Sequence, residues 1–201
     1  MAVEEDPVLS EAARGSTVVT TEPERSPKAS AVRNVVEWVV IAAGALLVAL
    51  VIKTFLLQAF YIPSLSMAPT LKVNDRVLVN KLSYDLHDVH RGDLVVFESP
   101  PNEGSQTKDL IKRVIGLAGE TVESRDGRVL INGQVLDEPY LQPDIVTGPM
   151  EKTVVPPDHV WVMGDNRANS RDSRFFGAIS ESTIIGRAFV RVWPVTALDL
   201  L

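Results

Sequence analysis

The sequence predicts a mostly β fold: an antiparallel-sheet domain behind one N-terminal transmembrane helix. Two observations predict it. Trp38 to Ile52 is an uncharged run, WVVIAAGALLVALVI. After Leu57 the chain breaks into short β-branched segments separated by Gly, Pro, Asn and Asp, the composition of strands and turns. The length of 201 residues is enough for one cored domain with appendages.

Residues 1–34 read as a disordered cytoplasmic tail. The first 30 are rich in Glu, Ser, Thr, Pro and Ala and contain no aromatic residue. They offer too little apolar surface to offset chain entropy. Residues 35–57 then supply the roughly 20 apolar helical residues that a bilayer core requires. Glu37 and Lys53 fall near the two interfaces, and Lys53 can snorkel toward headgroups. A buried core helix has a similar composition. A cleaved signal peptide fits less well, because a long acidic tail comes first. Arg25, Lys28 and Arg33 precede the span, and only Lys72 lies in the fifteen residues after it. That bias puts the N-terminus in the cytoplasm and the rest outside.

Residues 58–201 form the expected extracytoplasmic β-rich domain. Its predicted strands are 76–82, 93–99, 109–117, 121–125, 128–133, 159–165 and 184–194. Asp126-Gly127 fits a tight hairpin, and Asn132-Gly133 marks another turn. No helical periodicity of useful length follows Leu57.

Composition excludes several functions. The net charge is −6, which argues against nucleic acid, since phosphate binding needs a basic patch. The chain has no cysteine, so disulfides, thiolate metal sites and a cysteine nucleophile are excluded.

Three segments can carry chemistry. In IPSLSMAPTL, residues 62–71, Pro63 stiffens the backbone ahead of Ser64 and Ser66. That can fix a nucleophile in an exposed loop, although a serine between prolines is also an ordinary loop residue. A serine hydroxyl needs a base. His87 and His90 lie in a polar loop, and no third metal ligand is near them. His159 opens a strand, and nothing local supports a histidine triad. Lysine is the alternative base. Period-2 alternation puts Leu110, Lys112 and Val114 on one face, with Ile111, Arg113 and Ile115 on the other. If the first face is buried, desolvation disfavours the Lys112 ammonium, and a neutral amine can accept a serine proton. The strand alone equally allows a surface lysine on an edge strand. The third segment, MGDNRANSRDSRFFG at 163–177, is dense in Asp, Asn, Ser and Arg. Asp165, Arg167, Asp172 and Arg174 can pair to hold such a loop rigid.

Together these segments resemble bacterial type I signal peptidase in its compact, single-span form. Four blocks carry the resemblance in order: IPSLSMAPTL at 62–71, RGDLVVF at 91–97, IKRVIGLAGE at 111–120 and GDNRANSRDSRFFG at 164–177. NGQVLDEPYL at 132–141 is a fifth. The resemblance implies a serine endopeptidase that removes signal peptides from exported preproteins at the outer face of the cytoplasmic membrane, through an acyl-enzyme. Ser66 would be the nucleophile and Lys112 the general base. The Ser64 hydroxyl and the Ser66 N–H would form the oxyanion hole. Ser170 would hydrogen-bond and orient the lysine, with Asp172 and Arg174 bracing that loop. Phe60, Ile62, Met67, Leu71 and Ile111 would line two shallow pockets for small residues. Substrate would bind as an added extended strand. No cofactor or metal is implied. The implied partners are signal peptides of secreted preproteins, membrane lipid and the secretion translocon. Ala118 and Glu120 replace the family's more usual Pro and Asp, a departure that falls on a turn.

Rival readings are a self-cleaving repressor, a non-enzymatic tethered β domain that binds extended peptides, and a peptidase dedicated to one secreted substrate. A membrane span stands where a repressor would carry a DNA-binding domain. The Ser66 and Lys112 motifs weigh against a non-enzymatic domain.

Overall fold

A computed structural model describes residues 27–101 and 107–201. Of the tail expected over 1–34, residues 1–26 lie outside the described residues. Helix α1 (Pro27–Val51) opens on a proline, which the first helical turn accepts because its missing N–H has no partner to lose. Arg33 and Glu37 form an i,i+4 ion pair at 3.5 Å. Arg33–Val51 is long and apolar enough to cross a bilayer, and none of it is buried by protein. A helix apolar on every face needs an apolar surround. A π-helical turn, Ile52–Leu56, follows and carries Lys53.

Twelve strands follow in the described residues: β1 (Leu57–Tyr61), β2 (Arg76–Asn80), β3 (Leu94–Glu98), β4 (Asp109–Gly116), β5 (Thr121–Arg125), β6 (Arg128–Ile131), β7 (Gln134–Val135), β8 (Met150–Val154), β9 (His159–Met163), β10 (Ile179–Ser180), β11 (Ile184–Trp193) and β12 (Asp199–Leu200). Two helices of four residues each, α2 (Ser83–Leu86) and α3 (Ser173–Phe176), interrupt them. The larger sheet runs β1-β2-β11-β3-β4-β9-β10, with β12 on β11. The smaller runs β7-β6-β5-β8. Every pairing is antiparallel.

The two predicted turns build the smaller sheet. Asp126 and Gly127 have φ of 52° and 78°, and Asn132 and Gly133 have 52° and 80°. Positive φ at both central residues suits two-residue hairpins. They close Arg125 onto Arg128 and Ile131 onto Gln134.

All seven predicted strands are present, trimmed by up to two residues at an end. The segments that periodicity did not flag are short. β7, β10 and β12 have two residues each, and β8 is the polar MEKTV. β1 begins at Leu57, the last residue of the predicted span, and its neighbour Leu56 already accepts a bond from Lys81 N–H at 2.9 Å.

The larger sheet is covered on both faces at its centre. Leu94 and Val96 of β3 pack with Ile62, Met67 and Leu71. Val95 and Phe97 pack on the other side with Val114 and Val162. A third cluster, with Ile115, Val122, Val129 and Trp161, joins the two sheets. This burial is what makes a polar side chain on β4 consequential.

Candidate active site

Ser66 lies in the loop between β1 and β2. Ile62, Met67 and Leu71 anchor that loop in the first cluster. Its backbone closes on itself: Ala68 N–H donates to Leu65 O at 3.0 Å and Leu71 N–H to Met67 O at 2.9 Å. Lys112 sits in β4 opposite Val95. By strand alternation it shares a face with Leu110 and Val114, which belong to the second cluster. That face is buried, and Lys112 is 3% exposed. Its Nζ donates to Ser66 Oγ at 2.8 Å, and Ser66 is 9% exposed. Ser64 Oγ donates to the same oxygen at 3.2 Å.

The segment 164–177 closes over this pair. Asn166 N–H donates to Ser66 O at 3.0 Å, and Asn166 Nδ2 to Leu65 O at 3.1 Å. A Cβ built on Gly164 would overlap both Ser66 O and Ser170 Oγ, so only glycine allows the two segments this close. Asp172 accepts from Gly164 N–H at 2.9 Å. Arg174 grips both Asp172 oxygens at 2.8 Å each and donates to Arg167 O at 2.7 Å.

Asp165 and Arg167, read together from the sequence, find their side-chain partners elsewhere. Asp165 accepts from Arg113 Nε and Nη2 at 2.9 and 2.7 Å and from Thr70 Oγ1 at 2.6 Å. Arg167 pairs with Glu138 and donates to Thr147 Oγ1 at 2.7 Å. Burial disfavours the Arg167 cation, but the Glu138 carboxylate outweighs burial and raises its pKa. Burial, and then the Glu138 charge, raises the Tyr140 phenol well above its ordinary value, so its hydroxyl remains a donor.

Ser170 lies beside the pair, 8% exposed. The expected bond from Ser170 to Lys112 is not formed: Ser170 Oγ has no hydrogen-bond partner among the described residues. The hydroxyl is packed against Gly164, while Lys112 Nζ is turned to Ser66.

A groove runs beside the pair between Phe60, Ile62 and Ser64 on one wall and Asp109, Ile111 and Lys112 on the other. Met67 and Leu71, expected among its lining residues, are instead fully buried. They pack with Ile62 in the first cluster and anchor the loop there. The three histidines have their ring contacts elsewhere. His87 Nδ1 contacts Asp88 O and His159 Nδ1 contacts Pro157 O, and His90 lies 4.0 Å from Asp93.

Sequence reasoning missed Thr70, Glu138 and Thr147, and the role of Arg113. Thr70 and Asp165 are 95 positions apart, so no local pattern links them. The one available signal was Arg113, a charge set among the apolar residues of β4.

The family model for signal peptidase, peptidase S26, matches residues 35–193. The chain belongs to this family. It is 52% identical over 163 residues to signal peptidase I of Leptolyngbya laminosa, covering 78% of this chain and 79% of that one. It is 45% identical to probable signal peptidase I-2 of Synechocystis sp., covering 78% and 72%. Against signal peptidase IB of Staphylococcus aureus the identity is 35% over 179 residues, covering 81% and 91%. A solved signal peptidase I from Enterococcus faecalis is 30% identical, with a TM-score of 0.41, covering 50% of this chain and 97% of that one. Membership makes this chain a peptidase that removes signal peptides from preproteins.

Proposed function

We propose that this signal peptidase works by a Ser66–Lys112 dyad through an acyl-enzyme. The observation that carries the proposal is the 2.8 Å bond from Lys112 Nζ to Ser66 Oγ, between two side chains almost closed to solvent. With Lys112 neutral, its amine takes the Ser66 proton as the hydroxyl oxygen attacks the scissile carbonyl. The Ser66 N–H and the Ser64 hydroxyl stabilise the oxyanion. Collapse breaks the C–N bond, and the Lys112 ammonium protonates the leaving amine. Water, deprotonated by Lys112, then hydrolyses the ester and frees Ser66. Ser170, Asp172 and Arg174 hold the segment that covers the lysine.

Substrate joins as an extended strand between two open edges. β1 ends the larger sheet, and β9 pairs only with the second half of β4. Ser99 N–H donates to Lys108 O, so by alternation Asp109 and Ile111 turn their backbone groups away from β3, toward the groove. Phe60, Ile62 and Ile111 leave room for small side chains at the first and third positions before the cut.

The flanking cations orient α1 with its N-terminus cytoplasmic and the sheets outside. Membrane lipid around α1 and the secretion translocon are the partners this reading adds.

The test is cleavage of a preprotein set by the full chain in detergent, with product N-termini read by mass spectrometry. Wild type cuts after small residues, while Ser66→Ala and Lys112→Ala do not cut. Cleavage by a contaminant-free Ser66→Ala preparation would sink the dyad.

A further inference from the structure

The block NGQVLDEPYL, residues 132–141, has no part in the chemistry above. Two of its side chains nevertheless reach Arg113, next to Lys112, and Arg167, in the covering segment. Glu138 and Tyr140 lie in the loop that leaves β7. Glu138 pairs with Arg167, whose side chain is fully buried. Arg167 Nη1 also donates to Thr147 Oγ1 at 2.7 Å, and its Nε to Gly164 O at 3.1 Å. Gly164 is the residue packed against Ser66 O and Ser170. Tyr140 OH donates to Glu138 Oε1 at 2.6 Å. Its ring lies under the Arg113 guanidinium, 3.9 Å from ring centre to carbon. Arg113 follows Lys112 directly in β4 and grips Asp165.

We propose that Glu138 and Tyr140 are positioning residues for catalysis, holding Arg167 and Arg113 and through them the Ser66–Lys112 geometry. The proposal rests on the dyad reading. Arg167 fixes the distance of Gly164 from Ser66, and Arg113 resists rotation of β4 about its own axis at Lys112. Both arginines are buried, so each needs a partner of fixed geometry. The smaller sheet supplies these partners, and the two sheets already share an apolar cluster. The polar link therefore sets alignment, for which a misplacement of about 1 Å costs on the order of a hundredfold in rate.

The test compares full-length variants in detergent on one signal-peptide-derived peptide, at a temperature where each is folded by near-ultraviolet circular dichroism. Glu138→Gln is expected to lower kcat at least about tenfold with KM within about twofold, and Glu138→Asp to recover part of the loss. Tyr140→Phe keeps the ring and the ion pair, and Thr147→Val keeps the shape. Each is expected to lower kcat about threefold or more. Ile179→Ala loosens the second apolar cluster, which includes neither Tyr140 nor either arginine, and should keep wild-type kcat. Wild-type kcat in folded Tyr140→Phe and Thr147→Val overturns the proposal, even if Glu138→Gln does not fold. So does an equal loss of kcat in Ile179→Ala. Ser66→Ala is run alongside: its activity would overturn the dyad itself, whereas its inactivity confines any failure to the positioning claim.

Discussion

Arg113 grips Asp165 with two parallel bonds, Nε to Oδ1 at 2.9 Å and Nη2 to Oδ2 at 2.7 Å, and Asp165 is fully buried. The pair joins β4 to the segment over the active site. Thr70 ties the serine loop to the same carboxylate. Removing one partner of a buried pair strands the other charge, which costs about 3–5 kcal/mol. Asp165→Ala should lose stability of that order in urea unfolding, and activity with it. Arg113→Lys should fall between, because an ammonium cannot make both bonds at once. An Asp165→Ala protein as stable as wild type would show that the pair contributes little.

The dyad reading predicts that Lys112→Arg is as inactive as Lys112→Ala, since guanidinium stays protonated and cannot act as the base. Replacing His87, His90 and His159 together should leave most peptide cleavage, because the His87 and His159 rings bond within their own loops and His90 faces Asp93. A folded triple variant without activity would point back to a histidine base.

The strands were legible where β-branched runs were bounded by Gly, Asn or Asp, and both tight turns could be placed from two residues each. Chemistry on β4 was only half legible. Alternation put Lys112 with Leu110 and Val114, yet it could not say that both faces of the strand are covered. That follows from the loop carrying Met67 and Leu71 on one side and from Tyr84, Val89 and Phe176 on the other. The family motif, not the periodicity, singled out Lys112. Local pairing rules matched Asp172 to Arg174, two residues away. They could not reach Arg113 for Asp165 or Glu138 for Arg167, because those partners meet only after both sheets form.

Ser170 offers a separation of stability from rate. Its hydroxyl is buried without a partner, and a buried unsatisfied group costs about 1–3 kcal/mol. Ser170→Ala should therefore unfold at equal or higher urea than wild type. On the dyad reading, the Ser170 hydroxyl beside the pair orients the amine once substrate binds. The same variant should therefore cleave more slowly without being inactive. Reduced stability together with unchanged kcat would reverse both expectations.

Glu120 braces the turn after β4. Its Oε2 accepts from Leu117 N–H at 2.7 Å, and Arg91 Nη2 meets its Oε1 at 2.6 Å. Burial pushes its pKa up, but the Arg91 and Leu117 bonds outweigh burial and leave it below the ordinary 4.5. A carboxylate depressed in the folded state stabilises above its unfolded pKa, and the effect is lost as pH falls through the folded value. Glu120→Gln should therefore cost about 1 kcal/mol at neutral pH and nothing once wild-type Glu120 is protonated in acid. Urea midpoints of both proteins across that range check it. A gap that persists undiminished in strong acid would assign the loss to shape, not charge.

The pH dependence of cleavage bears most directly on the proposed chemistry. Attack needs the Lys112 amine neutral, and a free lysine, with a pKa of about 10.4, is neutral in well under 1% of molecules at pH 7. Lys112 is 3% exposed, and such burial favours the uncharged form. Substrate lying along Ile111 and Phe60 would exclude still more water. The single-turnover rate should rise with pH and level off once the lysine has lost its proton. Asp165→Asn should shift the limb of that rise to lower pH, because Arg113, next to Lys112, would lose its counter-charge and further disfavour the ammonium. Asp109, at the groove wall, and Asp172, within the covering segment, favour the ammonium as Asp165 does, so Asp172→Asn should move the limb the same way as Asp165→Asn. Rates from about pH 5 to 9 on one peptide decide it. A flat profile with chemistry rate-limiting would exclude a titrating lysine base. A rising limb unmoved by either substitution would leave the lysine in place and remove the electrostatic account of its environment.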